Sequence, residues 1–365
     1  MNKTIILILI SLFALLKLSA QSASILKVDS LFTHLTNSDL FSGAVLIADS
    51  SGVLLSKGYG FSDRENKIQN TSDTRFDLSS GSKIFTSLAI TKLAEQGKLN
   101  YTDTIGQYIK GLPQGNVMTI HHLLTHSAGV KQFYAAKGFK YDGSIKNCTD
   151  HIPYIRTMTL DYKPGDSCLY STGGCMILGA VIEKITGLNF QQYITDFLIK
   201  PLGLENTCFT PYWTLTDKQR EYAIGYRKDS TGYKPNAYNY DYGFVPLSAG
   251  GAWSSANDLY KIDNAVFSNK IVSSEYVKLM TTKYTEMVAE NYKLQFGYIW
   301  LIENSNTECV GHAGNSSGWH TWNYYYPEKQ TTIIILTNMG SVDIFDLATQ
   351  VDKILFKVEK NWQHR

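Results

Sequence analysis

In the run Ser80-Gly81-Ser82-Lys83 a hydroxyl and an amine stand three positions apart. On a helix that spacing puts both side chains on one face, so Lys83 can reach Ser80. A serine hydroxyl is a poor nucleophile until a neighbour takes its proton. A lysine takes it only while neutral, which needs its pKa moved from ~10.4 toward ~7–8, at about 1.4 kcal/mol per unit. Burial and a second cation supply such shifts. A helix beginning here also turns free N–H groups toward the serine oxygen. The chemistry open to this pair is acyl transfer through a covalent serine ester. Taken alone, the same four residues are more often an N-cap serine with a solvated lysine. Histidines at 121, 122 and 126 bring no His-Glu-x-x-His pattern and no carboxylate at ligand spacing. No metal is expected, and His126 reads as fixing a turn. The sequence carries no Walker loop, dinucleotide fingerprint or basic stripe, so neither a cofactor nor a nucleic-acid partner is expected.

The text around the pair narrows the choice. Phe76-Asp77-Leu78-Ser79-Ser80-Gly81-Ser82-Lys83-Ile84-Phe85-Thr86 resembles the serine segment of the beta-lactamase-like serine hydrolases. That family includes class C beta-lactamases, low-molecular-weight penicillin-binding proteins, esterases and D-aminopeptidases. Further segments match in order. Ile120 to Gly129 resembles the family's His-Leu-Leu-x-His-x-Ser-Gly turn. Pro164-Gly165 followed by Tyr170-Ser171-Thr172 is similar to its Tyr-x-Asn segment. Pro201-Leu202-Gly203-Leu204 resembles its Pro-Leu-Gly-Met turn, and Gly311-His312-Ala313-Gly314 its third motif, a strand written Lys-Thr-Gly or His-x-Gly. The likeness runs from about Phe41 to Asn338. It implies roles by position. Ser80 is the nucleophile and Lys83 its partner. Tyr170 shares the proton traffic, and His312 lines the opposite wall, orienting a substrate carboxylate or tuning Tyr170. The backbone N–H groups of Ser80 and Asn315 form the oxyanion hole, where one donor is worth ~10²–10³ in rate. Thr172, Ala313 and Gly314 fall at substrate-binding positions.

Two positions depart from the pattern. Thr172 stands where the family often has Asn, offering one hydroxyl in place of a carbonyl and an amide. Ala313 stands where penicillin-recognising members often have Thr, so a hydroxyl able to meet a substrate carboxylate is missing. Both changes point away from efficient beta-lactam hydrolysis. A D-amino-acid peptidase or carboxypeptidase and an esterase rank level, with a beta-lactamase third. The expected partner is a small-molecule or peptide substrate with an acyl group. A non-catalytic penicillin-binding-like sensor is the alternative.

The elements that must position these residues can be read from periodicity. Ile25, Val28, Phe32 and Leu35 predict an amphipathic helix over 24–36. Gly43 to Ile47 and Val53 to Gly58 predict a hairpin around Asp49-Ser50-Ser51-Gly52, and Arg75 to Leu78 a further strand. From Ser80, Ile84 with Leu88 and Phe85 with Ala89 and Leu93 predict a helix that Gly97 ends. Helical patterns continue through 117–126, 173–187 and 189–199. Strands are predicted at Tyr298–Ile302, Trp319–Tyr325 and Thr332–Leu336, and a last helix carries Val342 to Val358 on a broad apolar face. The fold expected is α/β, a mainly antiparallel sheet flanked by N- and C-terminal helices, with a largely helical insertion. Residues 21–80 and 240–365 form the sheet domain and 81–239 the helical one.

The bulk properties agree. The chain has 365 residues, 44% hydrophobic and 18% charged, with net charge +2. That suits one large or two medium domains and gives no field to gather nucleic acid or anionic membrane. The first twenty residues, with Lys3, an apolar run from Ile5 to Leu16 and Ala20, read as a secretory signal. The apolar run is shorter than the ~20 residues of a spanning helix. An exported protein, periplasmic or secreted and starting near Gln21, is expected. Five cysteines contain no Cys-x-x-Cys pair. Export permits a disulfide such as Cys168–Cys175, and the pairing stays open. The aromatic stretches Tyr238–Phe244 and Trp319–Tyr326 read as cleft rim, with a partner surface as the alternative.

Overall fold

The hairpin expected around residue 50 forms because Asp49 Oδ1 accepts the Ser51 N–H at 2.8 Å and closes the turn. The computed structural model describes residues 21–211, 214, 221–236, 244–289, 292–303 and 307–358. Residues 1–20, read above as a signal, and the tyrosine run 238–242 lie outside the described residues. Helix α1 (21–37) leads into β1 (Gly43–Asp49) and β2 (Gly52–Tyr59). Three short strands follow, β3 (Phe61–Asp63), β4 (Ile68–Gln69) and β5 (Phe76–Asp77). The helical stretch holds α2 (Lys83–Glu95), α3 (Ile120–Leu124), α4 (Ile152–Arg156), α5 (Thr172–Thr186), α6 (Phe190–Ile194) and α7 (Lys200–Leu202). Then come β6 (Tyr226–Asp229), β7 (Gly232–Pro235), β8 (Trp253–Ser254), α8 (Ala256–Phe267) and α9 (Ser274–Thr281). The chain returns to strands in β9 (Thr285–Ala289), β10 (Tyr292–Phe296), β11 (Leu301–Glu303), β12 (Cys309–Asn315), β13 (His320–Tyr326) and β14 (Thr331–Thr337), and closes with α10 (Ile344–Phe356).

Eight strands make one antiparallel sheet in the order β2-β1-β14-β13-β12-β11-β10-β9. Alternation assigns its faces. Val45, Ile47, Trp322, Tyr324, Ile333 and Ile335 meet Val28 and Phe32 of α1 and Leu347, Ala348 and Val351 of α10. Ala44, Leu46, Ile334 and Leu336 face the helical layer of α2, α5 and α8. Each fully buried Leu, Ile or Phe contributes roughly 1.5–3 kcal/mol. Helix α2 is covered on all sides: Ile84, Phe85, Leu88, Ile90 and Leu93 are buried, and so are Thr86 and Ser87. Those two hydroxyls are satisfied by the Ser248 and Tyr298 carbonyls. A helix so enclosed fixes its first turn relative to the sheet.

Three expectations need correction. Tyr298 to Trp300 form a bend rather than strand, and β11 begins at Leu301. Ile299 takes a positive φ of 72° there, held by its N–H donating to the Leu124 carbonyl. Trp319–Tyr326 is neither rim nor partner surface: Trp319, Trp322, Tyr324 and Tyr326 are buried, and β13 lies inside the sheet. The turn at Ser79–Ser82 is 3-10, and the α-helix begins only at Lys83. The five cysteines, Cys168 and Cys175 included, are free thiols. Among the described residues, no helix is long and apolar enough to cross a membrane.

Candidate active site

Ser80 sits on a turn that its neighbours hold tightly. Ser79 adopts a positive φ of 50°, a costly conformation for a residue with a Cβ. The buried Asp77 carboxylate accepts its N–H and stabilises it. A strap at 248–252 wraps the same turn. The Gly251 N–H donates to the Ser79 carbonyl, Ser82 Oγ accepts the Ala252 N–H, and the Leu78 N–H donates to the Ala252 carbonyl. Burial pushes the Asp77 carboxyl up to about 7, against the pull of the Ser79 N–H.

Lys83 is fully buried. Its Nζ donates to Ser80 Oγ at 3.0 Å and to the Ala249 carbonyl, and lies 5.0 Å from the Tyr170 ring centroid. Among the described residues no carboxylate reaches ion-pair distance of it. The 3.0 Å contact serves either direction of proton transfer: an ammonium donates to the serine oxygen, and a neutral amine accepts from it.

Tyr170 is packed among rings. Its centroid lies 4.8 Å from His126, 6.2 Å from Phe296 and 6.3 Å from His312. Gln132 clamps the backbone on either side. Its Nε2 donates to the Tyr170 carbonyl at 2.6 Å, and its Oε1 accepts the Thr172 N–H at 2.9 Å and the Thr172 hydroxyl at 2.6 Å. His126 Nδ1 accepts the Ser171 N–H at 3.3 Å, which puts its proton on Nε2. His312 Nδ1 donates to the Ala313 carbonyl, which leaves its Nε2 an acceptor. Burial, and next the Lys83 charge, hold both imidazoles down at about 3, so both are neutral at neutral pH. Tyr170 Oη, His126 Nε2 and His312 Nε2 are buried without a hydrogen-bond partner.

A cavity of about 190 Å³ opens over the pair. Ser80, Lys83, Thr172 and Asn315 line it, with Asp77, Met176, Ala249 to Gly251, Phe133, Tyr134, Tyr141 and Phe244. Tyr170, His312, Ala313 and Gly314 are not in its lining. The structure thus brings the sequence-derived residues together in two groups, one at the cavity floor and one behind it. Gly314 joins them by packing: a Cβ there would stand 2.0 Å from the Leu78 carbonyl oxygen and 3.0 Å from the Gly81 nitrogen. Only a residue without a side chain lets β12 lie against the Ser80 turn. Among the described residues no cluster of three His, Cys, Asp or Glu could hold a metal.

Sequence reasoning passed over Gln132, Asp77, the Ala249 carbonyl and the aromatic residues 133, 134 and 141. Asp77 carried a signal, a lone carboxylate between Phe76 and Leu78, three positions before Ser80. Gln132 and Ala249 carried none, since they meet the site only through tertiary contact.

A Beta-lactamase family model matches residues 28–353, and the chain belongs to that family, whose members are serine hydrolases. It is 28% identical over 304 residues to the putative penicillin-binding protein PbpX of Bacillus subtilis (strain 168), covering 82% of this chain and 71% of that one. It is 25% identical to the teichoic acid D-alanine hydrolase of Staphylococcus aureus (strain MRSA252), covering 85% and 74%. The crystal structure of a penicillin binding protein from Bacillus halodurans superposes with a TM-score of 0.77 at 25% identity, over 88% of this chain and 98% of that chain.

Proposed function

We propose that this protein is an exported hydrolase that forms an acyl-enzyme on Ser80 and acts on a D-aminoacyl peptide, amide or ester. The observation that carries the reading is the fully buried Lys83 amine 3.0 Å from Ser80 Oγ at the floor of an open cavity. Ser80 Oγ bonds to the substrate carbonyl carbon while its proton passes to the Lys83 amine, a step that requires the uncharged form of the amine. The carbonyl oxygen takes the negative charge, facing the N–H groups of Ser80 and Asn315. When the carbon–leaving-group bond breaks, the proton passes by way of the Tyr170 hydroxyl to the departing alcohol or amine. Water then attacks the serine ester by the reverse proton path and frees the acid. His312, neutral and beside Tyr170, helps set the tyrosine's environment.

The similarity to a teichoic acid D-alanine hydrolase supports a D-aminoacyl substrate. Thr172, whose hydroxyl is spent on Gln132, and Ala313 rank beta-lactam hydrolysis below it. Export rests on residues 1–20, which read as a signal segment placing the protein in the periplasm or outside the cell. The test is mass spectrometry of the folded protein with a fluorophosphonate and a panel of acyl esters and D-amino-acid amides. An adduct on Ser80 and continued product release are expected, both lost in Ser80→Ala. A single stoichiometric burst would make the protein a sensor, and no adduct with any probe would end the proposal.

A further inference from the structure

Resting on the acyl-enzyme reading above, we infer that the cavity beside Ser80 is an acyl-group subsite built for an uncharged aromatic ring. Phe133, Tyr134, Tyr141, Phe244 and Met176 make its wall. The rings brace one another: Tyr141 meets Phe244 edge-on at 5.6 Å, and Phe133 meets Tyr134 at 5.5 Å and Tyr141 at 6.4 Å. Behind them Phe139 packs edge-on against Phe133 and Tyr141 and stacks on His151, so the wall is backed by a further aromatic layer. Edge-to-face sets of this kind accept one more ring in the same geometry. The size fits: an apolar cavity of ~150 Å³ takes a benzene ring, and this one measures about 190 Å³.

The side of the substrate follows from Tyr170. The group that hands a proton to the leaving atom is absent from the cavity lining and sits instead among His126, Phe296 and His312. The leaving group departs toward that side, and the aromatic wall receives what stays on Ser80. Charge sets the second limit. Among the described residues lining the cavity the one cation is Lys83, whose nitrogen is engaged by Ser80 and Ala249, while Asp77 contributes a carboxyl. A carboxylate on the acyl group finds no free cation among them and loses part of its water.

The experiment compares three 4-nitrophenyl esters: acetate, phenylacetate and 4-carboxyphenylacetate. Phenylacetate is expected to exceed acetate in kcat/KM by about 10- to 100-fold, the range one apolar contact set supports. The carboxylated ester is expected to fall at least about 10-fold below phenylacetate. Tyr141→Ala and Phe244→Ala should each shrink the phenylacetate-to-acetate ratio, and fluorophosphonate labelling of Ser80 verifies that each variant is folded. Labelling of Ser80 with equal rates for acetate and phenylacetate, or with the carboxylated ester preferred, overturns the subsite and leaves the acyl-enzyme proposal standing. Failure of every ester and of the fluorophosphonate to reach Ser80 overturns the acyl-enzyme proposal itself.

Discussion

The two sides of the candidate site are built on opposite terms. On the Ser80 side most polar groups are spoken for, the buried Ser79 hydroxyl excepted: the strap at 248–252, Asp77 and Ser82 hold the turn by hydrogen bonds, and Lys83 has two oxygen acceptors. On the Tyr170 side the backbone is clamped by Gln132, but Tyr170 Oη and the Nε2 atoms of His126 and His312 have no partner. Those groups are held by ring packing, and they bear the cost of buried unpaired polar atoms. The difference teaches where rigidity is needed. In the proposed reaction a nucleophile must be aimed, so its turn is fixed. A proton carrier must change partners during a turnover, and bonds that are not committed in the resting protein need not be broken first.

Substitutions can break that contrast, beginning with the largest effect. Tyr170→Phe keeps the ring and removes the uncommitted hydroxyl. It should lower kcat about 10²–10⁴-fold with the melting temperature unchanged or raised, read by ester kinetics and calorimetry on one sample. A matching loss of stability would show the hydroxyl to be structural. Gly314→Ala strikes the contact between the two sides. With a Cβ 2.0 Å from the Leu78 carbonyl oxygen, it should cost about 3 kcal/mol or more in urea unfolding. Gln132→Ala frees the Tyr170–Thr172 segment while leaving every ring in place. A fall of roughly 10-fold in kcat is expected, with a stability loss of about 1–2 kcal/mol.

The smallest effect concerns pH. Asp77 is raised to about 7 in the folded protein, against about 4 in an unfolded chain. The folded state therefore keeps its proton longer, and stability attached to this group falls as pH rises from about 4 and is lost once pH passes about 7. Asp77→Asn removes that slope. Relative to the parent, the variant should gain steadily between about pH 4.5 and about pH 8, measured by denaturant titration. A difference flat with pH would mean that the carboxyl is ionised throughout. The imidazoles act in the other direction: held near 3 when folded, they withdraw stability as pH falls below about 6.5.

What could be read from the sequence was what is local. Ser80 and Lys83 lie within one turn, and the ordered segments from Phe76 to Gly314 each carry their own spacing. The hairpin, α2, α5 and α10 follow from the recurrence of apolar residues along each. Helices α8 and α9 went unread, although Leu259, Ile262, Ala265 and Val266 recur at helical spacing behind the N-cap Ser255. Strand β12 was legible only through resemblance, since Gly311 and Gly314 erase the alternation that marks a strand. Tyr298 to Trp300 look like strand by composition, but Ile299 is turned by the Leu124 carbonyl, a partner far away in sequence. Of the aromatic wall, Phe244 falls in the stretch read as cleft rim, whereas Phe133, Tyr134 and Tyr141 lie in the connection between α3 and α4, which only the packed helices bring to the cavity.

The carbonyl that anchors the Lys83 amine comes from a residue 166 positions further along the chain. A polypeptide interrupted before that point already owns both reactive groups, yet has nothing to seat one against the other. Contacts over such a separation form late compared with those inside a helical turn. Under the acyl-enzyme proposal a nascent copy is therefore inert toward acyl compounds for most of its synthesis, and reactivity arrives with the closing of the fold.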